Sequence, residues 1–224
     1  MPERFRIEVA PAQNVTAIEY PTAASNRASV SLILGHGAGA GQTSSFIVEF
    51  AAALATRGID VITFNFVYAE RGRRVPDPNA RLQACFRAVI EAVRRRNSAT
   101  LAIGGKSMGG RIASQVAGGA GELAGLVFLG YPLHPPGQPE RLRAAHLHDV
   151  RAPMLFVQGS RDAFGAPAEL QPIITRLEPP ADLYVVEGGD HSFRVPQRAG
   201  MGQQEVFERI QDRIATWLRG LAAR

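Results

Sequence analysis

Cysteine is almost missing from this chain: Cys85 is the only one in 224 residues, so no internal disulfide can form. A chain of this length, 46% hydrophobic, buries enough core to need no covalent staple. One cysteine suits a reducing compartment. Lysine is as scarce, for 24 of the 25 basic residues are arginine and only Lys106 is lysine. No apolar run approaches the ~18 residues of a membrane span. The opening MPERFRIEVAPAQ has charges with no apolar run behind them, unlike a secretory signal. The expectation is a soluble, cytoplasmic protein with no membrane partner. There is no internal repeat, low-complexity linker or composition shift, so residues 1–224 read as a single domain.

A formal charge of +5 would suit an anionic partner. Yet Arg57, Arg87, Arg111, Arg161 and Arg209 lie in different segments, without an RNA-binding signature or zinc-finger spacing. Of the two clusters, Arg94-Arg95-Arg96 closes a helical pattern, where cations complement the helix dipole. Nucleic acid is therefore not an expected partner.

What is present is an alternation of short apolar runs and helical periodicities. The runs Ser29–Leu34, Ile59–Phe64, Thr100–Gly104, Gly125–Leu129, Pro153–Gln158 and Asp182–Glu187 read as strands. Between and after them lie helical patterns at Phe46–Arg57, Asn79–Arg96, Met108–Ala117, Ala166–Leu177 and Gln204–Leu221. The early segments Arg4–Val9 and Asn14–Tyr20 alternate as an antiparallel edge hairpin would. This order predicts an α/β fold, a mostly parallel central sheet with helices on both faces. In such sheets ligands bind beyond the carboxyl ends of the strands.

One such end carries Gly105-Lys106-Ser107-Met108-Gly109, a G-x-S-x-G string between a predicted strand and a predicted helix. The turn is tight enough to need small residues two before and two after the serine, and it lifts the hydroxyl to a helix N-terminus. Ser107 could be an ordinary helix cap, but its place between strand and helix favours a nucleophile. A serine needs a base, and the base needs a group to hold it. His191 lies in a glycine-rich loop directly after the last strand, unlike His36, His134, His146 and His148. Asp162 follows the preceding strand, which gives the order Ser…Asp…His. Asp190 is the rival acid, disfavoured because adjacent side chains in an extended loop diverge.

The string His36-Gly37-Ala38-Gly39-Ala40-Gly41 follows the first buried strand. Its glycines let backbone N–H groups approach a substrate, so an oxyanion hole from the N–H groups of Met108 and Ala38 is expected, with Gly37 next in line. The spacing fits neither a dinucleotide fingerprint nor a Walker loop, despite the Gly-Lys-Ser string. No cofactor and no metal is expected. The loop from Tyr68 to Pro78 follows a strand and carries Arg71, Arg73 and Arg74. Arg73 and Arg74, with Lys106 and Tyr131, are the candidate substrate-binding residues, because guanidinium suits bidentate carboxylate capture. The plainer alternative ties these arginines to Glu70 and Asp77.

The strings LGHGAGAG, FNFVYAERGRRVPDP, IGGKSMGGRIAS, FLGYPLHPPGQPERLR, FVQGSRDAFG and EGGDHSF together resemble the α/β-hydrolase superfamily, and within it small, capless dienelactone-hydrolase-like proteins. They are similar also to the hydrolase-like domains of a testis-expressed eukaryotic protein and of a subunit of a chromatin acetyltransferase complex. The resemblance implies the α/β-hydrolase fold without a lid domain, for only a short stretch separates Gly130 from Pro153. It also implies a small-molecule ester substrate. Dienelactone hydrolases use a cysteine nucleophile, and this chain has Ser107, which favours an ester or thioester over dienelactone. The alternative is a non-catalytic interaction module on the same fold. The number of subunits is left open.

Overall fold

The computed structural model describes residues 1–23, 25, 27–96, 99–196, 200 and 202–222. A hairpin opens the chain: β1 (Glu3–Ala10) pairs antiparallel with β2 (Gln13–Tyr20). Then come β3 (Val30–Gly35), α1 (Ser45–Thr56), β4 (Asp60–Phe64), the single-turn α2 (Val67–Glu70), α3 (Asn79–Arg96), β5 (Thr100–Lys106), α4 (Met108–Ala117) and β6 (Gly125–Leu129). A 3-10 turn at Ala145–Asp149 precedes β7 (Met154–Gly159), α5 (Pro167–Ile174), β8 (Asp182–Val186) and α6 (Gln203–Ala222).

The eight strands form one sheet in the order β1-β2-β4-β3-β5-β6-β7-β8. From β4 to β8 every pairing is parallel, and β2 joins β4 antiparallel so that the hairpin closes one edge. The central strands are apolar throughout because both faces are covered: all residues of β3, β4, β6 and β7 are buried. Helices α3, α4 and α5 pack on one face around Phe64, Phe86, Phe128 and Phe156. On the other, α1 and α6 pack around Phe50, Leu54, Ile210 and Leu218. Each such side chain contributes ~1.5–3 kcal/mol by leaving water.

Two elements lie where the sequence read only loop, α2 and the 3-10 turn, and both are too short to show a periodicity. Helix α5 also stops at Ile174, short of Leu177, as the chain nears Pro179 and Pro180. Among the described residues no helix is long and apolar enough to cross a membrane.

Candidate active site

The loops leaving β3, β5, β7 and β8 meet at one edge of the sheet. At the end of β5 the chain turns into α4 with no linker, and Ser107 takes φ 51° and ψ −114°. A non-glycine residue held there stores backbone strain, of order 1–3 kcal/mol. The turn is possible because its neighbours lack a Cβ. A methyl at Gly105 would stand 2.5 Å from the Gly35 carbonyl oxygen, and one at Gly109 only 2.4 Å from the same atom. The Ser107 side chain makes no capping bond to α4.

It bonds elsewhere. Ser107 Oγ lies 2.8 Å from His191 Nε2, and His191 Nδ1 lies 2.8 Å from Asp162 Oδ2 and 2.9 Å from Oδ1. With a carboxylate beside Nδ1, that nitrogen carries the proton and Nε2 is left to accept the serine hydroxyl. The Asp162 side chain is fully buried, the imidazole about one-fifth exposed. Gln158 Nε2 and the Phe164 N–H also donate to Asp162, at 2.9 and 2.8 Å, which holds both carboxylate oxygens in place. The Phe164 ring lies against the imidazole, centroids 4.2 Å apart. Asp190 faces away and accepts from the N–H groups of Ser192 and Arg194.

The loops that carry Asp162 and His191 are stitched together. Gly188 N–H donates to Ser160 Oγ at 2.8 Å, and Arg161 N–H to the Gly189 carbonyl at 2.9 Å. A side chain at Gly159 would meet the carbonyl oxygens of Gly189 and Asp190 at 2.4 Å, so only glycine lets the His191 loop cross the end of β7 this closely. Lys106 adds a third tie. Its Nζ donates to the His191 carbonyl at 2.7 Å, and burial pulls its pKa down to about 8 against the opposing pull of Asp162 and Asp190.

On the β3 side, His36 fixes the glycine-rich loop. Its Nδ1 donates to the Gly37 carbonyl at 2.9 Å, while Nε2 accepts the Phe66 N–H at 3.1 Å. Burial lowers its pKa to about 4, so it is a neutral structural ring. Tyr68 Oη also donates to the Gly37 carbonyl. Ala38 is thereby held beside Ser107, and the two residues line both clefts described next. Among the described residues neither the Ala38 nor the Met108 N–H is engaged in a hydrogen bond.

Two recesses meet at Ser107. The larger, about 600 Å³, is bordered by His191, Lys106, Phe46, Ile47, Phe164 and Phe207. The smaller, about 270 Å³, is bordered by Met108, Asp77, Arg111, Pro132, Arg143 and Phe164. Among the described residues no cluster of His, Cys, Asp and Glu is arranged to hold a metal ion.

The candidate substrate-binding residues fare differently. Tyr131 must be corrected. Its ring is fully buried against Phe128 and Phe156, and its hydroxyl donates to the Arg143 carbonyl at 2.9 Å, so it packs the core. Arg73 pairs with Asp77 at 2.7 Å and borders neither recess, and Arg74 is exposed on the same loop. Lys106 borders the larger recess, and its ammonium donates to the His191 main-chain carbonyl at 2.7 Å. The reading from sequence passed over Phe164, Gln158 and the arginines at 111 and 143. Phe164 and Arg111 had a local signal, standing two residues after the acid and one helical turn after the serine.

The model of the alpha/beta hydrolase domain family matches residues 28–219. The chain belongs to the α/β-hydrolase family. Solved structures share this fold at low identity. An alpha-beta serine hydrolase homologue from Coxiella burnetii is 20% identical with a TM-score of 0.73, the match covering 97% of this chain and 96% of that one. An a/b serine hydrolase without lid from Xanthomonas campestris is 21% identical with a TM-score of 0.73, over 100% of this chain and 94% of that one. A dienelactone hydrolase from Anabaena variabilis is 15% identical with a TM-score of 0.72, over 98% of each chain.

Proposed function

We propose that this α/β-hydrolase is a serine hydrolase that cleaves a carboxylic ester or thioester through an acyl-enzyme. The observation that carries the reading is the unbroken chain Ser107 Oγ, His191 Nε2, His191 Nδ1 and Asp162, each link 2.8–2.9 Å, starting at a strained elbow. Ser107 Oγ attacks the carbonyl carbon while its proton passes to His191 Nε2. The carbonyl oxygen becomes an oxyanion, which the N–H groups of Met108 and Ala38 receive at the positive end of α4. When the tetrahedral adduct collapses, the carbon–oxygen or carbon–sulfur bond breaks and the leaving group takes the proton from Nε2. Water then attacks the acyl-serine with His191 again as base, which frees the acid and restores the hydroxyl. Asp162 holds the Nδ1–H tautomer and stabilises the imidazolium in each half. The names of the structural relatives, serine hydrolases among them, support the same class of chemistry.

The test is covalent labelling with a fluorophosphonate, alongside hydrolysis of short 4-nitrophenyl esters. The wild-type chain is labelled and active. Ser107→Ala loses both, by about 10⁶ in rate, with an unchanged melting curve. A chain that used the fold only as an interaction module would not be labelled, and near-wild-type hydrolysis by pure Ser107→Ala would refute the assignment.

A further inference from the structure

Two arginines border the smaller recess beside Ser107, and among the described residues neither is in an ion pair. Arg111 stands one turn into α4, its N–H bonded to the Ser107 carbonyl at 3.1 Å. Arg143 comes from the stretch between β6 and β7, anchored by its main chain: its N–H donates to the Leu133 carbonyl and its carbonyl accepts the Tyr131 hydroxyl. Both side chains are partly buried and border the recess, and among the described residues neither guanidinium has an ion pair or hydrogen bond. Their charges act on each other unfavourably, with burial the larger penalty on Arg111. The one carboxylate at this recess, Asp77, pairs through Oδ1 with Arg73 at 2.7 Å and Arg81 at 3.6 Å, while its buried Oδ2 has no hydrogen-bond partner among the described residues. The recess therefore presents net positive charge to whatever occupies it.

The two recesses also differ in which half of an ester they can take. His191 must hand its proton to the leaving group, and it borders the larger, aromatic recess but not the smaller. The leaving group thus lies in the larger recess, and the acyl chain runs past Met108 toward Arg111 and Arg143. At about 270 Å³ this recess gives the acyl chain less than half the room of the larger one, and the two arginines line it. Resting on the serine-hydrolase reading above, we propose that Arg111 and Arg143 form an acyl-side carboxylate clamp, and that the preferred substrates are esters or thioesters of short dicarboxylic acids. Guanidinium forks suit a carboxylate, and charge-assisted bonds in a partly desolvated recess discriminate strongly against a neutral end.

The experiment compares kcat/KM for 4-nitrophenyl pentanoate and 4-nitrophenyl hydrogen glutarate, which share a leaving group and a five-carbon acyl chain. The wild type should prefer the glutarate ester by about tenfold or more, and Arg111→Gln and Arg143→Gln should each cut that ratio by about tenfold or more. Arg87→Gln, on the exposed side of α3, should leave the ratio unchanged. Calorimetry of the full chain adds glutarate and, separately, inorganic phosphate. Glutarate binding that is lost in Arg111→Gln supports the clamp, and phosphate binding more tightly than glutarate overturns the carboxylate assignment. Robust hydrolysis with no preference, or a ratio indifferent to both arginines, overturns the clamp and leaves the serine-hydrolase reading standing. No labelling and no hydrolysis of either ester would sink that reading instead, and the glutarate titration would still decide whether the arginines hold a carboxylate.

Discussion

Asp162 and Asp190 both lie near His191, yet each carboxylate has a different set of donors. Asp162 receives Nδ1–H from the imidazole, with Gln158 and the Phe164 amide filling its other lone pairs. Asp190 receives two backbone amides and so shapes the turn that carries the histidine. Replacing Asp162 with Asn keeps the shape but offers an N–H where an acceptor is needed, which favours the wrong imidazole tautomer. Esterase kcat should fall by about 10⁴ in Asp162→Asn. In Asp190→Asn an amide oxygen can still accept the same backbone donors, and kcat should stay within about tenfold of wild type. Reversed effects in steady-state assays of the two variants would identify Asp190 as the orienting acid. Order along the chain pointed to Asp162, whose carboxylate lies against His191 Nδ1. The lone lysine was legible too, but not its role. Lys106 meets a main-chain carbonyl 85 residues away, and such a contact leaves no trace in the local string.

At the scale of elements, the β5–α4 elbow is a place where backbone meets backbone. A methyl on Gly109 would press on the Gly35 carbonyl at 2.4 Å and the His36 carbonyl at 2.8 Å, and neither can swing aside as a side chain could. Gly109→Ala should therefore cost about 1–3 kcal/mol in denaturant unfolding and displace Ser107, lowering kcat more than tenfold. Gly119→Ala, with no atom within 4 Å of the new methyl, should do neither. If the two behave alike, crowding does not shape the elbow. The loop after β3 makes a prediction about acid. The His36 pKa lies near 4 in the folded chain, against 6.5 unperturbed, chiefly because the ring is buried. As pH falls through that window the unfolded chain takes up a proton that the folded chain refuses, so stability is lost between about 6.5 and 4. The loss is on the order of 3 kcal/mol. Urea unfolding at pH 7 and 4.5 should show the wild type losing stability that His36→Gln does not lose, and parallel losses would exclude His36 as the cause. The central strands were readable because they are apolar on both faces, and α3, α4 and β6 begin and end where their patterns do. The sites missed from sequence, Gln158 behind the acid and Arg143 across the smaller recess, act through tertiary approach. Tyr131 was misjudged for a related reason, since a tyrosine after a strand looks the same whether its ring turns outward or into the core.

Among the described residues no cap domain covers the site. Between β6 and β7 the chain adds only a short excursion with one 3-10 turn, and that excursion supplies Pro132 and Arg143 to the smaller recess instead of covering the serine. With no cap domain among the described residues to open at a lipid surface, rates should rise smoothly through the critical micelle concentration of a substrate with no jump. The acyl side is also the smaller side, about 270 Å³ with two arginines, while Phe46 and Phe207 line only the 600 Å³ on the leaving-group side. A deep apolar acyl pocket would contribute ~0.8 kcal/mol for each methylene buried, or about fourfold in kcat/KM per carbon. Here a longer neutral chain soon meets charge or solvent, and that gain should stop. For 4-nitrophenyl esters of straight-chain acids, kcat/KM should level off or fall beyond about six acyl carbons. With the acyl group fixed as acetate, exchanging an alkyl alcohol for an aromatic one of equal leaving-group pKa should raise it, since the larger recess then gains apolar contact. A steady fourfold climb from two to ten acyl carbons would place the acyl chain in the aromatic recess and reverse the orientation of the substrate.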